Sequence, residues 1–205
     1  KIKNSLLKKV NYPDYLQGGV KGKDYLSNCR IHTNKAVILK EDISNFFPSI
    51  SQKIVHQVWA GFFNFPNDVA QLLTKLTTFN GFIVQGCKTS GYICNLVLWE
   101  REPKLASEFS KKGYRYSRLV DDITVSCSRP LSKKEQSQII SQIYAMLKSI
   151  GATPNKKKHK VMSNGVSQQL HRVNLNSNSP TLSKNVRANI KTAVFQCEKK
   201  YEKMT

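Results

Sequence analysis

The sequence predicts an α+β fold in which a central antiparallel hairpin is flanked by helices. Two segments rich in apolar β-formers, 114–120 and 123–127, are separated only by Asp121 and Asp122, which is the pattern of a hairpin. The clearest helical periodicity lies directly after them, at 132–150. Strands and helices are otherwise mixed without a regular alternation, which argues against a parallel α/β sheet.

The N-terminal third begins with a polar, basic segment, 1–35, that contains glycine turns. Residues 36–39 are continuously apolar, which predicts a buried strand ending at Asp42. The following Phe-Phe-Pro sequence ends that strand. Ser51 is placed to cap a helix over about 52–62.

A second helix is predicted from Pro66 to about Thr78, because proline favours the first helical position. Its apolar face has helical spacing and comprises Val69, Leu72, Leu73 and Leu76. After a turn at 80–81, a further helix is predicted from Ser90 to about 101, where Pro103 interrupts it.

The helix at 132–150 opens with a capping box of Ser132 and Glu135 and stops at Gly151. A hairpin is predicted over 161–166 around an Asn-Gly turn. A last helix begins near Ser183 and should pack its apolar face on the body or on further C-terminal chain. That face consists of Val186, Ile190, Val194, Cys197 and Tyr201.

Charge narrows the function classes. The 205 residues carry 33 Lys and Arg against 13 Asp and Glu, a net charge of +20. Nucleic acid is the favoured partner, because each cation placed on a phosphate releases condensed counterions. An anionic membrane surface and a merely basic soluble protein are the alternatives. No apolar stretch reaches the roughly 20 residues of a membrane span, and the N-terminus lacks the apolar core of a signal peptide.

Cysteine usage argues against a disulfide framework. The 5 Cys are an odd number, no Cys-x-x-Cys occurs, and the 4 His do not cluster with them at zinc-ligand spacing. A reducing, intracellular setting is therefore expected.

Acidic residues are scarce, so an adjacent pair inside apolar strands is informative. Asp121 and Asp122 lie between β-formers, and Asp42 closes another apolar strand. Carboxylates at the ends of buried strands are costly unless a cation neutralises them. Three of them would suit hard divalent metals, and two such ions about 3.5–4 Å apart are a general device for phosphoryl transfer. The alternative is that Asp121 and Asp122 simply form a hairpin turn.

Three segments in register resemble the catalytic motifs of reverse transcriptases. Residues 39–50 resemble the first catalytic motif, 84–95 resemble the Gln-Gly-x-x-x-Ser…Asn motif, and 118–126 resemble the Tyr-x-Asp-Asp motif with its trailing strand. The resemblance covers about 16–190. It implies the fingers and palm of a right-hand polymerase, with an antiparallel palm sheet flanked by helices and the thumb largely absent.

Weaker features resemble bacterial retron and defence-associated, abortive-infection-related enzymes. Residues 28–32 match the Asn-Ala-x-x-His pattern of retron enzymes with Cys in place of Ala. The retron Val-Thr-Gly motif should fall at Leu170-His171-Arg172 and is absent, with Arg where Gly belongs. Leu119 stands where the family usually has the Tyr that supports the primer terminus. His32 is interpreted as a buried structural residue.

The resemblance implies a division by domain. Fingers would comprise 1–35 and 51–85, palm would comprise 36–50 and 86–182, and the start of a thumb or connection helix would comprise 183–205.

The resemblance also assigns catalytic roles. Asp42, Asp121 and Asp122 would hold two Mg²⁺ ions, with Mn²⁺ as a substitute, and the Ile43 carbonyl would complete one coordination shell. Lys158 occupies the motif whose Lys protonates the leaving pyrophosphate. The choice among three adjacent Lys, 156–158, is open, and a solvated charge run is the alternative.

Substrate contacts follow in the same way. Phe47 would lie beneath the sugar of the incoming nucleotide and exclude a 2′-hydroxyl, although Phe46 and Phe47 are also candidates for the core. The remaining nucleotide contacts would be Gln85, Gly86, Lys21, Lys23 and Arg30. Contacts to template or primer would be Lys88, Asn95 and Leu119.

The predicted function is RNA-directed DNA synthesis in the bacterial cytoplasm, as a nucleotidyltransferase acting in anti-phage defence. Partners would be dNTPs, a non-coding RNA template and the DNA product, with no membrane, and an effector protein or a second copy of the chain as further candidates. Two alternatives stay open. One is template-independent or protein-primed DNA synthesis, and the other is a catalytically silent RNA-binding scaffold.

Overall fold

The chain folds into two antiparallel sheets surrounded by helices, and the computed structural model describes residues 1–202. The helices are α1 (Ile2–Ser5), α2 (Tyr25–Ile31), α3 (Phe46–Ser49), α4 (Gln52–Gln57), α5 (Asn67–Thr77), α6 (Ser90–Leu96), α7 (Glu102–Lys111), α8 (Lys133–Lys148) and α9 (Lys184–Glu202). The strands are β1 (Val37–Asp42), β2 (Tyr114–Leu119), β3 (Asp122–Cys127), β4 (Lys160–Ser163), β5 (Gln169–Leu170), β6 (Val173–Asn174) and β7 (Thr181–Leu182). A 3₁₀ turn, Leu7–Lys9, follows α1, and a π-helical turn, Val58–Phe62, extends α4.

The main sheet has four strands in the order β2-β3-β1-β4. All its pairings are antiparallel, and Asp42 of β1 lies opposite Asp122 of β3. The smaller sheet has the order β5-β6-β7. The predicted α+β class and the predicted central hairpin are therefore confirmed.

The core lies between the main sheet and the helices. Ile123 and Val125 of β3 are fully buried, as are Phe109 of α7 and Ile143 and Leu147 of α8. The apolar residues of β3 alternate along the strand and those of α8 recur at helical spacing, so α8 buries one face. The alternate residues Thr124 and Ser126 are also buried, so β3 is covered on both faces. The capping box of Ser132 and Glu135 forms as predicted.

The buried face of α5 differs from the prediction. Ala70, Thr74 and Thr77 face the core, and the Thr77 hydroxyl accepts a hydrogen bond from the Trp59 indole at 3.3 Å. The predicted apolar face is largely exposed, including Val69, Leu72 and Leu76. The buried threonine hydroxyls are not left unpaired, because they donate hydrogen bonds to backbone carbonyls one turn earlier in the helix.

Two further predictions need correction. Val161 belongs to β4, which pairs with β1, so segment 161–166 does not form a hairpin with itself even though 164–165 turns. The sheet edge next to β1 offers more backbone partners than a short local hairpin. The helix predicted from Ser183 forms as α9, and none of its described residues is buried, so packing of its apolar face on the body is wrong, whereas packing on further C-terminal chain stays a prediction. Within 1–202, no helix is long and apolar enough to cross a membrane.

Candidate active site

The three predicted Asp residues adjoin one another along the backbone where β1 and the β2–β3 hairpin end. Asp42 is the last residue of β1 and pairs across the sheet with Asp122, the first residue of β3. Asp121 lies in the turn before Asp122, and its carbonyl accepts a hydrogen bond from the Ile43 amide at 3.0 Å. Asp42 is buried, and the two turn carboxylates are half-buried. Strand pairing therefore brings together residues that are distant in sequence.

The turn that carries these carboxylates is strained. Val120 has a φ of +59°, in the left-handed region that a β-branched residue rarely adopts. Such a conformation costs on the order of 1–3 kcal/mol and persists only where the surroundings enforce it. Gly18 packs directly against Val120, since a Cβ at Gly18 would lie 2.6 Å from both the Val120 nitrogen and Cγ2. The close approach therefore requires glycine at 18.

A buried guanidinium supports the same turn from below. Arg118 forms a bidentate ion pair with Glu102, at 2.6 and 2.8 Å. Its remaining N–H groups donate to the carbonyls of Val120 (3.1 Å), Cys94 (3.3 Å) and Asn95 (3.2 Å). Every donor of this fully buried side chain is thus used, as a buried charge requires. The network ties the strained turn to α6 and α7.

Two ammonium groups contact the carboxylates. Lys158 Nζ donates to Asp42 Oδ2 at 2.8 Å, and Lys40 Nζ lies 2.9 Å from Asp122 Oδ1. The Lys40 approach is an ion pair without hydrogen-bond geometry, which leaves Asp122 Oδ1 buried and without a donor. The hydrogen bond to Asp42 raises the pKa of Lys158. Burial raises the pKa of Asp121, and the charges of Asp122 and Asp42 raise it further.

These observations fit a divalent cation, although among residues 1–202 no three His, Cys, Asp or Glu side chains converge as a ready-made metal cluster. The candidate metal ligands are carboxylate oxygens, which Mg²⁺ prefers. The pKa of Asp121 is raised first by burial and then by the charges of Asp122 and Asp42, and a bound cation would offset both effects. Asp122 Oδ1 is a buried acceptor without a donor. The carbonyl of Ile43 lies on the adjoining residue of the chain, next to Asp42.

A chain of buried hydrogen bonds runs behind the hairpin. His32 bridges two hydroxyls, Ser126 through Nδ1 and Ser117 through Nε2, each at 2.7 Å. Ser117 in turn donates to Asn28 Oδ1 at 2.6 Å. The predicted structural role of His32 is consistent with this placement. Burial lowers the pKa of His32 to about 3, so the ring is neutral in the folded protein.

A pH dependence of stability follows. Between about pH 6.5 and about pH 3, the unfolded chain binds a proton at His32 that the folded chain does not. The free energy of unfolding should therefore fall with falling pH, by up to about 1.4 kcal/mol per pH unit from this residue. Urea unfolding at pH 7 and at pH 5 measures the free energy of unfolding, which should fall more between these two pH values for the wild type than for His32→Gln. Equal slopes would contradict the assignment.

The predicted nucleotide contacts Phe47, Gln85 and Gly86 lie on α3 and on the loop before α6. The sequence left open which of Phe46 and Phe47 belongs to the core. In α3, Phe46 is buried and Phe47 is half-buried. The Phe46 ring lies 5.8 Å from the Arg118 guanidinium, which makes it part of the core. Gln85 and Lys88 are exposed on the loop before α6, and Gly86 has a φ of +86° that favours glycine.

The predicted basic contacts are distributed around the N-terminal segment. Lys21 and Lys23 line one cleft together with Tyr92, and Lys23 also pairs with Asp14 at 3.0 Å. Arg30 is exposed on α2.

The other two predicted nucleic-acid contacts differ in exposure. Leu119 is half-buried and lies opposite Asp122 across the hairpin. Asn95 is buried, and its amide donates to the Gly18 carbonyl at 2.7 Å, so its contact to nucleic acid stays a prediction.

Sequence reasoning missed several residues of the site. Lys40 lies two positions before Asp42 on the same face of β1, and the period of a strand would have indicated it. Arg118 is a charged residue inside an otherwise buried strand, which signals a buried partner. Its partner, Glu102, begins α7, and the helix predicted over 90–101 ends at Leu96 instead.

The opposite side of the sheet holds a second missed cluster. Glu41 is buried and accepts hydrogen bonds from His159 Nδ1 at 2.6 Å and from the Tyr144 hydroxyl at 3.2 Å. These contacts fix the chain next to Lys158, because His159 follows it directly.

Comparison with known families gives a match over most of the chain. The family model described as reverse transcriptase (RNA-dependent DNA polymerase) matches residues 1–192. Among curated proteins, the retron Se72 reverse transcriptase of Salmonella heidelberg (strain 579083-10) is 36% identical, over 100% of this chain and 55% of that protein. The retron Ec48 reverse transcriptase of Escherichia coli is 33% identical, over 88% of this chain and 48% of that protein. The chain thus spans about half the length of these relatives.

Solved structures with a similar fold include two telomerases. Apo telomerase from Candida tropicalis, truncated from its C-terminal domain, superposes with a TM-score of 0.56 at 15% identity, over 72% of this chain and 35% of that chain. Telomerase from Candida albicans, in complex with a fragment of telomeric RNA, superposes with a TM-score of 0.54 at 15% identity, over 78% and 35%. At this identity, the likeness shows the fold alone.

Proposed function

This chain belongs to the reverse transcriptase family, and we propose that it forms the fingers and palm of an RNA-directed DNA polymerase. The observation that carries the proposal is the meeting of Asp42, Asp121 and Asp122 at the ends of β1 and the β2–β3 hairpin. Lys158, bound to Asp42, completes a set of groups suited to nucleotidyl transfer. The reaction joins a dNTP to a 3′-hydroxyl and releases pyrophosphate.

The carboxylates would hold Mg²⁺, with Mn²⁺ as a substitute. Asp42, Asp121 and Asp122 supply the charged ligands, and the Ile43 carbonyl supplies a neutral one. Bound divalent ions would lower the pKa of the attacking hydroxyl and stabilise charge on the leaving pyrophosphate. The strained turn and the Arg118 network hold the carboxylates in place before any ligand binds, which is the preorganisation that catalysis needs.

Lys158 is proposed as the proton donor to pyrophosphate. Its pKa is raised by Asp42, which keeps the ammonium protonated at neutral pH. An ammonium can give up a proton, whereas a guanidinium effectively cannot. Lys158 thus combines a proton with a position beside the reacting phosphates.

The Lys158 role predicts a specific loss of rate. Lys158→Ala should lower the rate constant for nucleotide addition by roughly 100-fold, the order of a general-acid contribution, and should change the KM for dNTP less. Single-turnover extension of a primer measures both quantities. Lys157→Ala, in the neighbouring exposed residue, is the matched control and should stay near the wild-type rate. Lys158→Arg should behave like Lys158→Ala, and full activity of either variant would contradict the role.

The substrate contacts are proposed from position and chemistry. Phe47 would exclude a 2′-hydroxyl by occupying the space beneath the sugar. Gln85 and Gly86 would face the nucleotide from the loop before α6. Lys21, Lys23 and Arg30 would bind its triphosphate. Lys88, Asn95 and Leu119 would contact template or primer. The fingers at 1–35 and 51–85, and the palm at 36–50 and 86–182, are part of the same proposal.

The template is proposed to be a non-coding RNA that serves anti-phage defence. Curated relatives at 36% and 33% identity are named as retron reverse transcriptases, which supports a retron-like setting. The net charge of +20 supports binding to the phosphate backbone of an RNA–DNA duplex.

A primer-extension assay with a defined RNA template tests the proposed function. The chain, dNTPs and Mg²⁺ should yield DNA complementary to the template, and sequencing of the product reads this directly. Random or homopolymeric DNA would overturn templated synthesis in favour of template-independent addition. Absence of any DNA product, with RNA binding retained, would favour the silent scaffold.

A further inference from the structure

The hairpin that joins β5 to β6 has an unusual turn. Its two central residues, His171 and Arg172, have φ angles of +50° and +67°, and the flanking residues Leu170 and Val173 pair across it. Positive φ at both central positions is the pattern of a type I′ turn, where Asn-Gly is strongly preferred. Neither residue here is Gly or Asn, so each carries strain on the order of 1–3 kcal/mol. Something in the surroundings must hold them.

The contacts of the His171 side chain hold the first of these two residues in its left-handed conformation. Its ring is mostly buried, with 15% of the side chain exposed, and it lies between two polar groups. Nε2 lies 3.2 Å from Asn28 Nδ2, and Nδ1 lies 3.7 Å from Asp122 Oδ2. Tyr25 packs edge-on against the ring, with centroids 6.5 Å apart. The ring is therefore oriented from three sides.

The buried hydrogen bonds determine which ring nitrogen carries the proton. Ser117 donates to Asn28 Oδ1, so the amide nitrogen of Asn28 must face His171. An amide N–H can only donate, which makes His171 Nε2 the acceptor and places the ring proton on Nδ1. That proton points towards Asp122 Oδ2. At 3.7 Å the contact is longer than a hydrogen bond, so it is an electrostatic contact between a ring N–H and a carboxylate oxygen.

Asp122 consequently has a nitrogen near each carboxylate oxygen, in an ion pair at Oδ1 and in a longer electrostatic contact at Oδ2. Lys40 lies at Oδ1, at 2.9 Å, and His171 lies at Oδ2. Contacts on both sides favour one orientation of the carboxylate and so bias the direction that its free lone pairs face. Partners that orient ligating carboxylates in this way typically contribute 10–100-fold to metal affinity.

We propose that His171 is a positioning residue for Asp122, held by Asn28 and by the left-handed turn, and that it sets the affinity of the carboxylate site for a divalent cation. The inference rests on the proposed function, since it concerns the metal site assigned there. It also gives a physical role to the position where this chain departs from the Val-Thr-Gly pattern. The residue at 171 reaches the active site because the turn is left-handed.

Mn²⁺ binding measured by electron paramagnetic resonance on the intact chain, without nucleic acid, tests the inference. His171→Asn is the informative variant, because Asn tolerates positive φ yet is too short to reach Asp122. It should raise the dissociation constant for Mn²⁺ about 10-fold while leaving the thermal midpoint of unfolding unchanged or higher. His171→Ala should weaken Mn²⁺ binding similarly. Arg172→Ala, in the adjacent exposed turn residue, is the matched control and should bind Mn²⁺ like the wild type.

The outcomes separate the two proposals. The positioning role is overturned if both His171 variants bind Mn²⁺ as tightly as the wild type, or if Arg172→Ala weakens Mn²⁺ binding equally. In either case, DNA synthesis by the wild-type chain leaves the proposed function standing. If the His171 variants bind Mn²⁺ more weakly but the wild-type chain makes no DNA, the positioning role is supported and the polymerase proposal is refuted. A wild-type chain that binds no Mn²⁺ overturns the positioning role outright.

Discussion

Replacing Asp121 and Asp122 together with Asn is expected to abolish Mg²⁺-dependent DNA synthesis, a loss of at least roughly 1000-fold. The amide keeps the shape of each side chain but removes the charge that a divalent cation needs. The Asp121 replacement should not lower stability, because the pKa of Asp121 is raised by burial and by its carboxylate neighbours, so the double variant should lose only what the Lys40–Asp122 ion pair contributes. A raised pKa means that the folded state disfavours the charge, so a neutral replacement at 121 removes the cost of burying a charge and the repulsion from neighbouring carboxylates.

Primer extension and thermal unfolding measure the two effects on the same preparation. Asp68→Asn is the matched control, since Asp68 is exposed on the first turn of α5 and should be silent in both assays. RNA binding should persist in the double variant, because the basic residues are untouched. Continued DNA synthesis by the double variant would refute the polymerase hypothesis.

Replacing Arg118 with Met is expected to lower the free energy of unfolding by about 3–5 kcal/mol, the usual cost of removing one partner of a buried ion pair. The variant leaves Glu102 buried with an uncompensated charge, and three carbonyls, at Cys94, Asn95 and Val120, lose their donor. Denaturant unfolding measures the loss.

Arg129→Met provides the comparison, because the Arg129–Glu135 pair is of the same kind but lies on the surface. Its removal should cost at most about 1 kcal/mol. A second comparison is Arg118→Met with Glu102→Leu, which removes both charges and should be less destabilised than the sum of the single variants. Equal losses for Arg118→Met and Arg129→Met would show that the buried network does not support the turn.

Local patterns were sufficient for much of the fold. The apolar runs that became β1, β2 and β3 predicted strands, and the capping box with a periodic stripe predicted α8. Each of these elements buries its own apolar residues, so the apolar pattern of the sequence indicates which segments enter the core. The α5 helix shows where this reasoning fails. Its aliphatic stripe is exposed and its threonines are buried, because hydroxyls that bond within the helix can enter a core that the sequence does not display.

The candidate site divides in the same way. Asp42, Asp121 and Asp122 were predictable, because a carboxylate at the end of an apolar strand is costly and therefore informative. Lys158 could not be chosen from three adjacent lysines until its ammonium was seen on Asp42. Likewise, the sequence did not distinguish Phe46 from Phe47 as a core residue, and only the structure of α3 shows that the Phe46 ring is the buried one.

The sequence by itself determined the fold class, the family resemblance and the three carboxylates, because these depend on residue types and spacings within short segments. Only the tertiary structure decided which cations and donors surround those carboxylates. Lys40, Arg118 with Glu102, and His171 with Asn28 reach the site through strand pairing, helix ends and a left-handed turn. Such contacts join residues far apart along the chain, and their geometry exists only once the sheets have formed.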